Sequence, residues 1–115
     1  WNRPAGQSDM IISVDDKHIY LLGKEVIAID KKWRSMLWAT KIAALANKMG
    51  SLMTDQHIYV FGSRGIYELD KTSGDVNRMF RGADNKALGG YLMVVNDLLI
   101  SVSNEAITAY RLEQK

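Results

Sequence analysis

The chain has 115 residues, of which 47% are hydrophobic and 24% charged, the profile of one globular domain with a modest core. A formal net charge of +2, with no Lys/Arg cluster longer than a pair, gives no ground for a nucleic-acid partner. The longest apolar stretches fall far short of the ~20 residues that span a bilayer, and the absence of cysteine excludes disulfides, thiolate zinc sites, Cys nucleophiles and haem attachment.

In chain order, residues 1–9 read as a linker or as the end of a preceding unit, since Trp1 stands 37 residues before Trp38. "KHIYLLG" and "VIAID" are short apolar runs rich in Ile, Val and Tyr, the second stopping at Asp30, and both predict strands. "WATKIAALANKMG" admits a helix ended by Gly50, but the preferred reading is a strand near Trp38 followed by a long loop. The central stretch divides into four apolar pieces at 51–54, 57–61, 66–69 and 76–80, joined by "DQ", "GSRG" and "DKTSGD". In the last connector Asp70 is placed to accept from the backbone amides that follow, and Gly74 tolerates positive φ. Further on, "ISVSNEAITAYRLEQ" repeats the strand pattern in degraded form.

These stretches are copies of one another. Tyr20, Tyr59 and Ile100 fall in one column at offsets of 39 and 41 residues, and Val26, Ile66 and Ile107 in another. A period near 40 with four short strands per unit predicts an all-β propeller of four-stranded antiparallel blades at 10–49, 50–89 and 90–115, the last partial or terminal.

"IYVFGSRGIYELDKTSGDVNRMF" resembles the repeat of the PQQ-type (quinoprotein-like) β-propellers. In that pattern an apolar strand, a G/S-x-x-G turn and a strand ending in Leu-Asp lead to Gly-x-Val and often Trp. Gly62, Ser63, Gly65, Ile66, Tyr67, Leu69, Asp70, Thr72, Gly74 and Val76 carry the match; Trp38 fills the Trp position in the first unit and Arg78 stands there in the second. The resemblance implies a segment of a larger ring, with the missing blades supplied by a longer chain, a second polypeptide or self-association. It also implies periplasmic or other exported placement. It implies a non-catalytic scaffold or protein-interaction module, or alternatively part of a PQQ-dependent dehydrogenase with its quinone and calcium site on other blades. No cysteine and no Glu/Asn/Asp set of the dehydrogenase kind is present here, so no cofactor is expected on these blades.

No catalytic or metal constellation emerges. "FGSRGIYE" has G-x-x-G but is followed by a strand rather than by a helix, so it reads as a hairpin turn and not as a phosphate loop. "DKTSGD" places Gly fifth and Arg81 twelfth, where a calcium loop needs Gly sixth and a carboxylate twelfth. Asp15, Asp16 and His18 are neighbours whose side chains alternate in direction and cannot converge on a metal. His18 and His57 repeat by register, which predicts a structural role at the hairpin entry. The candidates for partner binding are Trp33, in a turn beside Lys31, Lys32 and Arg34, together with the rim cations Lys41, Arg64 and Arg81.

Overall fold

A computed structural model describes residues 10–42, 50–62, 64–81, 90–103 and 107–112. The described residues form eleven strands: β1 Met10–Val14, β2 His18–Leu22, β3 Glu25–Asp30, β4 Ser35–Lys41, β5 Leu52–Met53, β6 His57–Gly62, β7 Gly65–Asp70, β8 Val76–Arg81, β9 Tyr91–Val95, β10 Leu98–Val102 and β11 Ile107–Arg111. They build three antiparallel meanders, β1–β4, β5–β8 and β9–β11. The four pieces expected in the central unit are β5 to β8, and the strand expected near Trp38 is β4. The helix-or-loop choice beyond it falls on residues outside those described, as does the whole 1–9 segment with Trp1.

The units match in hydrogen bonding as well as in sequence. The amide that follows the third strand bonds back to the carbonyl before the second in every sheet: Lys31 to Lys17 (2.9 Å), Lys71 to Gln56 (3.0 Å) and Leu112 to Asp97 (2.7 Å). The β3–β4 and β7–β8 pairings shift register between Ala28 and Ile29 and between Glu68 and Leu69, which leaves Leu37 and Asn77 as the extra residues opposite. Each bulge directly precedes the Trp-column residue, Trp38 or Arg78, and a bulge re-aims the side chains next to it.

The sheets stack through their faces. Strand alternation divides β6 so that Ile58 and Val60 join Tyr20, Leu22, Val26 and Ala28 of the first sheet in one core cluster. Tyr59 and Phe61 join Leu92 and Leu99 of the third sheet in the other. The central sheet therefore packs on both faces, which explains why β6 reads as an unbroken apolar run rather than as alternation. Each fully buried Tyr, Phe, Leu or Ile contributes on the order of 1.5–3 kcal/mol. Tyr91 is exposed on the outer side of the third sheet.

The last turn of each four-stranded unit follows the expected chemistry. Asp70 Oδ1 accepts from the amides of Thr72 (2.8 Å) and Ser73 (3.0 Å), and Gly74 has φ of 80°. In the first unit Asp30 Oδ1 accepts from Trp33 N at 2.9 Å, and the Gly74 position is taken by Arg34 at φ 53°. Left-handed backbone costs a residue with Cβ about 1–2 kcal/mol, so Arg34→Gly is expected to raise stability by about 1 kcal/mol. A urea titration that left the midpoint unchanged or lower would refute this.

Candidate functional site: the joints and the rim between sheets

Two latches cross the joints between sheets. At the first, the indole Nε1 of Trp38 donates to Lys71 O at 3.2 Å and Thr40 Oγ1 donates to Gly74 O. The ring lies so close over Gly74 that a Cβ there would sit 2.4 Å from its carbons. At the second joint Arg78 Nη2 donates to Leu112 O, and Leu112 is the counterpart of Lys71 one repeat on. Arg78 thus does for the second joint what Trp38 does for the first. Its guanidinium is held by Glu68, with Nε to Oε1 at 3.1 Å and Nη2 to Oε2 at 3.4 Å.

Glu68 is buried, 3% exposed, and its Oε2 also accepts from the Tyr59 hydroxyl at 2.7 Å. Burial, then the carboxylate beside it, pushes the Tyr59 phenol well above its ordinary range, so it remains a donor. His57 Nε2 lies 3.9 Å from Glu68 Oε1. Directly opposite one another in register stand Ala28 and Trp38 in the first sheet, and Glu68 and Arg78 in the second. The two joints therefore use one geometry with two chemistries, an apolar Ala–Trp pair and an ionic Glu–Arg pair.

At one end of the first joint a cleft of about 480 Å³ is lined by Asp15, His18, Tyr20, Leu37, Asp55, Lys71 and Thr72. Asp15 and Lys71 pair across it. Lys71 Nζ reaches across from the second sheet to Asp15 Oδ2 at 3.1 Å and lies 5.5 Å from the Tyr20 ring centroid. The Tyr20 hydroxyl donates to Asp15 Oδ2 (3.3 Å) and meets His18 Nδ1 at 3.2 Å. Burial, reinforced by Asp15, pushes the Tyr20 phenol up to about 12. For Asp15, burial alone would raise the pKa, but the amides of Lys17 and His18 and the Lys71 ammonium outweigh it and hold the carboxyl well below the usual range.

A carboxyl depressed on folding stabilises above its unfolded value, near pH ~4, and loses that contribution as pH falls through the folded value. The stability gap between the wild type and Asp15→Asn is therefore expected to be constant above about pH 5 and to shrink below about pH 4. Urea midpoints measured across that range check it, and a gap that widens in acid would contradict it.

His18 and His57 occupy the hairpin entries as their register predicts. The His18 amide donates to Asp15 Oδ1 at 2.7 Å and the His57 amide to Thr54 Oγ1 at 3.2 Å. Among the described residues no group of three or more His, Asp or Glu could hold a metal ion. No helix among them is long and apolar enough to cross a membrane.

The four residues singled out for partner binding are all exposed but do not form one site. Arg64, in the β6–β7 turn, and Arg81, opposite Gly65, share one end of the second sheet. Lys41, opposite Glu25, lies at the matching end of the first. Trp33 is in the β3–β4 turn at the other end, 72% exposed, with Lys32 Nζ 5.1 Å from its ring centroid. Sequence reasoning missed Glu68, Lys71 and Asp15 as bridging residues. The one signal available was that Arg78 stood in the Trp column.

Compared with protein-family models and with curated proteins, the chain matches none.

Proposed function

We propose that the chain is a propeller segment of the PQQ-like repeat type, acting as a non-catalytic scaffold or protein-interaction module outside the cytoplasm. The observation that carries this reading is the repeated latch. Trp38 and Arg78, at the same place in consecutive units, each bind the carbonyl at the same place in the next unit. Such unit-to-unit docking lets sheets be added without changing the joint. The exposed cations and Trp33 lie on turns at the ends of the sheets, where a rigid stack offers loops to a partner.

An electron-microscopic or crystal structure of the assembled protein tests the architecture. Sheets arranged around a central channel are the expected result, and a straight stack would overturn it. Incubation with pyrroloquinoline quinone and Ca²⁺ is expected to leave the quinone absorbance unchanged. A band shift that required Ca²⁺ would replace the scaffold reading with the dehydrogenase one.

A further inference from the structure

Part of the polar surface in the cleft at the first joint is left over once the fold is satisfied. Asp15 is saturated: Oδ1 accepts from the amides of Lys17 (2.9 Å) and His18 (2.7 Å), and Oδ2 from Lys71 Nζ (3.1 Å) and the Tyr20 hydroxyl (3.3 Å). That hydroxyl has one proton, so its 3.2 Å approach to His18 Nδ1 places the imidazole proton on Nδ1 and leaves the Nε2 lone pair free. From the second sheet, the exposed Asp55 carboxylate and the Thr72 hydroxyl line the same cleft and have no partner among the described residues. Leu37, the bulge residue of β4, adds an apolar side chain that is 48% exposed. Two carboxylates against one ammonium leave the lining with an unbalanced negative charge. The volume of about 480 Å³ falls within the ~300–1,000 Å³ of ligand sites.

The repeat supplies a comparison inside the chain. At the second joint the places of Asp15, Leu37, Asp55 and Lys71 are taken by Thr54, Asn77, Asn96 and Leu112. Thr54 Oγ1 accepts from the His57 amide as Asp15 Oδ1 accepts from that of His18, so the hairpin entry is served without a charge. The carboxylate of Asp55 serves no turn and no joint. The fold therefore has no use for it, and a free acceptor in a cleft of this size has the character of a binding group.

From these free acceptors we infer that the cleft takes the arginine side chain of a protein partner, with its guanidinium on Asp55 and His18 Nε2 and its stem on Leu37. Asp55 and His18 stand on different sheets, and a planar fork of five donors reaches two such acceptors at once where an ammonium acts as a point charge. The inference rests on the protein-interaction reading proposed above and gives it a site and a partner chemistry.

Titration with the peptide acetyl-glycyl-arginyl-glycine amide at low salt, followed by the backbone amide shifts in NMR, tests it. Saturable shifts centred on His18, Asp55 and Thr72 are expected. The same peptide with glutamine in place of arginine is expected to shift none of them, and the lysine peptide to bind more weakly. Asp55→Asn is expected to weaken the arginine peptide about tenfold. Asp97→Asn removes the same charge from an exposed turn of the third sheet and is expected to change binding by less than about twofold. Absence of saturable binding overturns the inference. So do equal losses in the two variants, or a lysine or glutamine peptide that binds as tightly. Those results leave the scaffold reading standing, since a scaffold can hold its partner elsewhere. A Ca²⁺-dependent quinone band shift removes that reading and leaves arginine binding at the cleft untouched.

Discussion

Gly74→Ala is expected to cost about 2–4 kcal/mol. Two effects add. Backbone at φ 80° costs a residue with Cβ about 1–2 kcal/mol, and a Cβ only 2.4 Å from the Trp38 ring must push that ring off its seat, an overpacking cost of about 1–3 kcal/mol. Displacing the ring also endangers its bond to Lys71 O, so the loss falls on the joint between the first two sheets. Urea unfolding followed by indole fluorescence and by far-ultraviolet circular dichroism measures it. Repeating the substitution in Trp38→Ala separates the two effects, since only the backbone cost should remain. Strict additivity of the two substitutions would show that ring and glycine do not bear on one another.

The second large effect concerns the other joint. Arg78→Trp and Glu68→Ala are each expected to destabilise, the first by about 3 kcal/mol because it leaves a buried carboxylate without its cation. The second removes the acceptor of both Arg78 and Tyr59. Together they recreate in the central sheet the Ala28–Trp38 pair that holds the first joint. The double variant is expected to lose only the ~1–3 kcal/mol of the buried Tyr59 hydroxyl left without its acceptor. That is well short of the sum of the two single losses, and so a coupling well above the few tenths seen for independent sites. If instead the two single losses summed, the equivalence of the two latches would be wrong.

The strands were legible because their residues state local preferences. "IYVFG" and "IYELD" are β-branched and aromatic, and Asp70 and Gly74 supply the turn through bonds within five residues of chain. The period of about 40 then placed equivalent residues together, and hydrogen bonds at Lys31, Lys71 and Leu112 repeat on that period. The latch partners were not legible. Arg78 to Leu112 and Trp38 to Lys71 span more than thirty residues, and nothing local marks which carbonyl a side chain will find. Glu68 shows the limit most clearly. A glutamate in a half-apolar strand reads as solvent-facing, and only the arrival of Tyr59 and Arg78 on the same side makes its burial tolerable. The rim cleft was hidden for the same reason, since Asp15 and Lys71 belong to different sheets.

The Glu68–Arg78 pair also bears on how such repeats diverge. In a chain whose units began alike, a step from Ala–Trp that brought Glu68 first would leave a buried carboxylate without its cation, whereas Arg78 first keeps a donor on the Leu112 carbonyl. The order of the two changes is therefore constrained, the cation preceding the carboxylate. Copies of the unit can then become distinguishable at their joints while their strands stay interchangeable, and a chain built in this way gains an address for each unit within its order.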